Sequence, residues 1–336
     1  MLQLKNSTPF ATDMTLFPNE QGVDTLYLIV KASFKIGKQW MLADEQTPPT
    51  KADEYWGEPE DSSIKNASDF HTGKPVTDIV MIGSAFSQGG QPVNQLDVSL
   101  SVGQVSKTVR VFGDRVWNEG RITAPQSFHT MPLIYEKAYG GKYFENEQLL
   151  SIEEKNPVGC GYAGKRNVSE MNGVALPNLE DPQNLISQFT DQPQPACFAF
   201  SSAGWQPRLS YAGTYDEVWE TQRAPYLPED FNSRFLNMAH ENLIYPGYLQ
   251  GGEAVNISNM HTSGNMQFNL PRINLVSQVR VQDKLESPLF NLETLLLDPN
   301  QLQLSMVWRA ALPCDKKLLK ISEASIALSS QESTKS

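Results

Sequence analysis

The chain has 336 residues, of which 40% are hydrophobic and 19% charged, so it can bury a substantial core, which argues against wholesale disorder. Its formal net charge of −11 argues against binding nucleic acid or an anionic membrane through general electrostatics. Cys160, Cys197 and Cys314 are scattered and form no C-x-x-C pair, and neither a secretion signal nor a long apolar run is visible. We therefore expect a cytoplasmic protein in a reducing compartment.

Strand patterns occur toward both ends of the chain. Residues 25–36 (TLYLIVKASFKI) are rich in β-branched and aromatic side chains, and a turn at Gly37 and Lys38 predicts a hairpin with residues 40–42. Apolar and polar residues alternate in four further segments, at residues 97–102, 108–112, 278–282 and 302–308. This period of two is typical of antiparallel strands with one exposed face.

Helical patterns are confined to the middle third. Residues 181–189 begin with an Asp-Pro pair and place Leu185, Ile186 and Phe189 at helical spacing. Residues 216–223 and 228–239 predict two further short helices, the second with a proline in its first turn.

One compact domain is expected over residues 1–325, because no polar low-complexity linker separates the strand-rich ends. A disordered tail is expected over residues 326–336. The fold prediction is a mainly β protein, with antiparallel, sandwich-like sheets, long loops and a few short helices in the middle third.

Two segments are candidates for contact with a partner. Residues 43–63 contain seven acidic residues and one Lys around Tyr55 and Trp56, which fits either a solvated loop or a loop that faces a partner. Residues 201–237 interleave aromatic, arginine and acidic side chains, which suits either a pinned polar core or a recognition surface. From both segments the candidate partner-binding residues are Trp56, Trp205, Arg208, Tyr215, Asp216, Trp219, Arg223 and Phe231.

No motif predicts a catalytic, metal or cofactor site. Residues 159–165 have the G-x-x-x-x-G-K spacing of a phosphate loop, but Arg166 stands where Ser or Thr would bind magnesium, and the glycines fit tight turns better. The four histidines, His71, His129, His240 and His261, are isolated and lack metal-ligand spacing.

Sugar chemistry is the alternative interpretation. Carboxylates lie near aromatic residues in the sequence at Glu136, Asp216, Glu220, Asp230 and Glu253. Such pairs could serve a glycoside hydrolase, and aromatic platforms alone could serve a carbohydrate-binding protein.

Nine segments in order carry a family resemblance, at residues 69–78 (DFHTGKPVTD), 111–117 (VFGDRVW), 131–141 (MPLIYEKAYGG), 156–161 (NPVGCG), 176–182 (LPNLEDP), 205–208 (WQPR), 213–219 (GTYDEVW), 223–231 (RAPYLPEDF) and 307–309 (VWR). The sequence resembles the bacterial type VI secretion adaptor family, first catalogued as a domain of unknown function. The resemblance implies a non-enzymatic adaptor or chaperone, and it brings no catalytic, metal or cofactor residues. The implied partners are a cognate toxin with a PAAR spike-tip domain or an Rhs shell, and the trimeric spike onto which that toxin is loaded.

Overall fold

The computed structural model describes residues 2–37 and 40–329, and the protein is mainly β, as predicted. Within these residues the strands β1 to β25 span Gln3–Asn6, Ala11–Pro18, Asp24–Lys35, Met41–Leu42, Glu54–Tyr55, Ile64–Asn66, Asp78–Met81, Ser84–Phe86, Gln95–Val102, Val105–Phe112, Trp117–Asn118, Arg121–Ile122, Thr130–Pro132, Tyr139–Gly140, Lys142–Glu145, Gln148–Ile152, Cys160–Gly161, Leu179–Glu180, Ala254–Ser258, Met266–Asn269, Leu275–Val281, Lys284–Glu286, Asn291–Asp298, Gln303–Pro313 and Ile321–Leu328. Helix α1 spans Glu217–Gln222. Short 3-10 helices occupy Gln88–Gly90, Tyr135–Lys137, Arg208–Tyr211, Ser233–Leu236, Glu241–Leu243 and Asp315–Lys320. No helix within the described ranges has the length and apolarity needed to cross a membrane.

The central sheet has the order β2-β3-β24-β23-β7, with β4 also paired to β3. Strand β3 is buried at ten successive positions, so both of its faces are covered, as its near-continuous apolar sequence requires. It runs antiparallel to β24, while β7 pairs with β23 in parallel. The predicted hairpin of β3 with residues 40–42 is confirmed by β4, although Lys38 of its turn lies outside the described residues.

Two further sheets share one apolar core with the central sheet. Their orders are β18-β10-β9-β19-β20 and β1-β25-β21-β22, and β1 pairs with β25 in parallel. Buried residues from all three sheets belong to one cluster, among them Val30, Leu100, Val109, Trp308 and Ala324. Most strand pairs are antiparallel, as expected.

The predicted tail boundary is wrong for its first residues. Strand β25 continues to Leu328, and Ile326 is fully buried against the core. Backbone pairing of β25 with β1 and β21 therefore orders residues that the polar end of the chain had suggested were loose. Residues 330–336 lie outside the described part of the chain.

The helix predictions had mixed outcomes. The helix at residues 216–223 is confirmed as α1, and residues 228–239 form only the 3-10 turn Ser233–Leu236. The helix predicted at residues 181–189 is wrong. There the Ile186 N–H donates to the Glu180 carboxylate at 2.7 Å, and the Ser187 N–H donates to Asp191 at 2.9 Å. These side-chain acceptors take the donors that a helical ladder would need.

The glycine-rich segments at residues 139–141 and 159–161 lie side by side. Strands β14 and β17 pair in parallel, with Cys160 N–H donating to Ala138 O at 3.0 Å. A Cβ on Gly159 would lie 2.6 Å from Ala138 O, and one on Gly140 would lie 2.1 Å from Asn156 O. Gly140 and Gly159 therefore permit two backbones to touch, while Gly164 has a φ of +58° and a Cβ there would lie 2.5 Å from Tyr143 Cβ, so each glycine has a structural role other than phosphate binding.

Candidate functional site

A groove of about 700 Å³ opens beside the aromatic and arginine-rich segment. Its apolar wall includes Pro75, Val76, Pro195, Pro207 and Ile244, and its polar wall includes Arg208, Arg234 and His240. Concave, mainly apolar surfaces of this size with a few polar groups are typical of binding sites.

Two short 3-10 turns form part of the groove wall. The turns Arg208–Tyr211 and Ser233–Leu236 are joined by a hydrogen bond from Asn232 N–H to Tyr211 O at 3.0 Å. Trp205 lies beneath them, buried, with its ring edge-on to Tyr135 at 5.1 Å between centroids. Trp205 therefore supports the groove from the core, and Tyr135 reaches the groove itself.

Arg208 is the predicted residue that lines the groove, and it is buried. Its Nε donates to Phe235 O at 2.9 Å, and its Nη1 donates to Ser201 O at 2.5 Å. Burial lowers the pKa of Arg208, but an arginine remains protonated at neutral pH. The wall therefore carries a fixed positive charge.

His240 lines the groove and Lys107 lies behind it, an arrangement that the sequence did not indicate. The Nε2 of His240 lies 3.1 Å from Lys107 Nζ. Burial and the neighbouring Lys107 lower the pKa of His240 to about 3, and burial lowers the pKa of Lys107. At neutral pH His240 is therefore uncharged. The two residues are 133 positions apart, so no local pattern could have joined them.

Four of the other predicted residues lie in a knob around α1, outside the groove lining. Asp216 caps the helix by accepting from Trp219 N–H at 2.9 Å, and the Tyr215 ring meets the Trp219 ring at 4.7 Å. Arg223 donates from Nε to Leu227 O at 2.8 Å and from Nη2 to Glu20 O at 2.9 Å. These contacts fix the knob internally and against the turn before β3.

Phe231 and Trp56 are also outside the groove lining. Phe231 packs edge-on against Phe235, with ring centroids 5.8 Å apart. Trp56 follows β5 and is 47% exposed, with Lys65 Nζ lying 5.2 Å from its ring centroid. Trp56 is therefore accessible to a partner, but not as part of the same surface depression.

A buried ionic network supports the groove from the central sheet. Its ion pairs are Lys31 with Asp69 at 2.9 Å, Lys74 with Asp78 at 2.7 Å, and Arg309 with Glu293 at 2.8 Å. His71 lies beside this last pair, with its Nε2 3.2 Å from Arg309 Nη2, and burial together with the nearby cations lowers the pKa of His71 well below the usual value. The network contains equal numbers of cations and carboxylates.

This network connects the family segment at residues 69–78 with the groove. Asp78 accepts from Asn237 Nδ2 at 2.8 Å and from Met238 N–H at 2.8 Å, and these residues follow the turn Ser233–Leu236. The wall residues Pro75 and Val76 lie between Lys74 and Asp78 in sequence. The sequence indicated the segment only as part of a resemblance, because its partners Glu293 and Arg309 are distant along the chain.

Four of the five carboxylates that suggested sugar chemistry accept hydrogen bonds within the described structure. Glu136 accepts from Ser63 N–H at 2.7 Å and from its hydroxyl at 2.8 Å, and Asp230 accepts from Thr214 N–H at 2.9 Å. Asp216 caps α1, and Glu253 accepts from Gln250 N–H at 2.8 Å. No group of three or more His, Cys, Asp or Glu residues suited to a metal ion occurs in the described ranges.

Trp219→Ala should lower the free energy of unfolding by about 1–2 kcal/mol, less than the loss of a fully buried tryptophan. The side chain is half-buried, and its Nε1 donates to Tyr226 O at 2.8 Å. Urea unfolding measures the change, with Val218→Ala on the exposed side of α1 as the control. A decrease in the free energy of unfolding above about 3 kcal/mol would contradict this expectation, because it is the size expected for a fully buried core residue.

The comparisons with known proteins give one match. The model of a bacterial family described as "Uncharacterized protein conserved in bacteria (DUF2169)" matches residues 21–309. This range includes the central sheet from β3 onward, the ionic network and the groove. No curated protein and no solved structure matches the chain.

Proposed function

We propose that this chain, which belongs to the DUF2169 family of bacterial proteins, is a non-enzymatic adaptor or chaperone for a secreted toxin. The toxin would be of the PAAR or Rhs type, and the adaptor would assist its loading onto the type VI secretion spike in the cytoplasm. The nine ordered segments that resemble such adaptors support this role. The family description itself assigns no function, so the secretion role is our proposal.

The groove is the observation that carries the proposal. It combines about 700 Å³ of space with apolar walls, which suits a segment of another protein that would otherwise be exposed to water. Tyr211 stands beside it with the Arg234 guanidinium 4.6 Å from its ring centroid. Tyrosine and arginine are among the residue types that most often dominate binding energy at protein interfaces.

The placement of the groove favours a holding function. Its walls are fixed by the ionic network on one side and by Trp205 on the other, so the surface is formed before a partner arrives. A preformed surface loses little conformational freedom on binding. Such a surface could cover an apolar toxin segment reversibly until the spike is assembled.

Deleting the gene should abolish delivery of one cognate toxin, or lower its cellular level, while the contractile machine still exports its tube protein. We expect this phenotype because an adaptor acts on its cargo toxin and leaves the contractile machine intact. A bacterial competition assay with parallel detection of exported tube protein measures both, and restoring the intact gene is the control.

Two outcomes would contradict this proposal. Loss of tube export would make the protein a general component of the machine. Unchanged killing together with unchanged toxin levels would show that it does not serve that toxin.

A further inference from the structure

The buried cations of this protein fall into two groups. Six Lys or Arg residues are buried within the described ranges. Four of them form ion pairs with buried carboxylates, and these are Lys31, Lys74, Arg115 and Arg309. The other two, Lys107 and Arg208, form no ion pair with a described residue.

Both of these cations lie at the groove, one in its wall and one behind it. Arg208 is in its wall, and Lys107 contacts the wall residue His240. The carboxylates of Asp78 and Asp53 act on Arg208 only at longer range, as those of Asp181 and Glu241 act on Lys107. Arg208 uses Nε and Nη1 for backbone carbonyls, which leaves Nη2 without an acceptor among the described residues.

The rim of the groove is also positively charged. Lys155 and Arg234 line it, and Glu241 is the carboxylate among its described lining residues. This local excess of positive charge contrasts with the net charge of −11 for the whole chain. A buried cation that lacks a carboxylate partner favours a bound anion, so the charge of the groove suits an acidic ligand group.

We propose that the groove binds a segment of the partner protein in which an Asp or Glu side chain is flanked by apolar residues. The carboxylate would accept a hydrogen bond from Arg208 Nη2, and the apolar neighbours would pack on Val76, Pro195 and Ile244. The apolar walls favour a peptide segment over a small free carboxylate, which would leave most of the groove empty. This inference rests on the proposed holding function and names the chemistry of the segment held.

Binding of short fluorescent peptides to the purified full chain tests the inference. One pool carries a single Asp among Leu, Val, Pro and Phe residues, and the matched pool carries Asn in its place. We expect the Asn pool to bind at least about thirtyfold more weakly by fluorescence anisotropy, because burying a charge pair favours the acid. Equal affinities for the two pools, or no binding of either at about 1 mM, would overturn the inference.

Variants of the protein test whether the acidic peptides bind in the groove. Lys155→Glu combined with Arg234→Glu should weaken binding of the Asp pool by about tenfold or more. The matched control combines Arg121→Glu with Lys284→Glu, which makes the same change in net charge at exposed positions of β12 and β22. An equal loss in the control variant would mean that only overall charge matters, and would contradict the proposed site.

Arg208→Gln tests the buried cation directly. Since this change could also destabilise the protein, the readout is the ratio of the affinities for the Asp and Asn pools, which partial unfolding does not alter. We expect the ratio to fall toward one, and an unchanged ratio would contradict the role of Arg208. Toxin delivery that still depends on the gene, with no preference for acidic peptides, would refute this inference and leave the adaptor function standing.

Discussion

Arg309→Met should lower the free energy of unfolding by about 3–5 kcal/mol, because it leaves the buried Glu293 carboxylate without its partner. Arg309 Nε donates to Glu293 at 2.8 Å, and both side chains are almost completely buried. Urea unfolding measures the loss. Lys35→Met, at an exposed ion pair with Asp44, is the control and should change stability by less than about 1 kcal/mol. A comparable change in both variants would contradict the importance of burial.

The pH dependence of the Arg309→Met variant gives a second readout. Burial raises the pKa of Glu293, and Arg309 opposes that rise. Without Arg309 the folded protein should bind a proton at Glu293 more readily than the unfolded chain does. Stability relative to the native protein should therefore recover as the pH falls from about 8 to about 5. A deficit that is independent of pH would mean that lost packing, and not the unpaired carboxylate, causes the destabilisation.

Gly159→Ala should be at least as damaging, with a loss of roughly 3 kcal/mol or more. The added Cβ would lie 2.6 Å from Ala138 O and 2.9 Å from the Gly140 Cα, and both are backbone atoms that cannot move independently. Soluble yield and urea unfolding measure the effect. Gly204→Ala is the matched control, because a Cβ added there would have nothing within 4 Å.

The stability of the Gly159→Ala variant also tests why this motif contains glycine. If the glycines serve the close pairing of β14 and β17, stability should fall, since the parallel pairing brings the backbones together. A Gly159→Ala variant as stable as the Gly204→Ala control would contradict this close pairing as the reason for these glycines.

Strands with regular alternation, and the long β-branched and aromatic run of β3, could be predicted from the sequence. Residues 97–102 alternate and lie in β9, and all but Leu302 of the predicted residues 302–308 lie in β24, which is buried on both faces from Met306 to Ala310. Strand β23 was missed because Leu295, Leu296 and Leu297 follow one another without alternation, and leucine does not favour a strand as the β-branched and aromatic residues of β3 do. Its parallel pairing with β7 also depends on residues more than two hundred positions away.

The candidate site was only partly predictable for a related reason. The dense segment at residues 201–237 identified Arg208 and Trp205, because aromatic and arginine residues cluster there in sequence. Lys107, His240 and Tyr135 come from other parts of the chain and meet them only in the folded protein. The sequence also could not distinguish the knob around α1 from the groove, because both use the same residue types.

The position of β3 has a consequence for synthesis of the protein. Its partner β24 begins at Gln303, so a ribosome needs on the order of tens of seconds after making β3 to supply it. During that time β2 and β4 can cover one edge of β3, while the other edge, which β24 will occupy, has no partner. An apolar strand edge therefore stays open during translation, where it can attract other nascent chains. Slower elongation should then lower the soluble yield, unless general chaperones protect this edge until the chain is released.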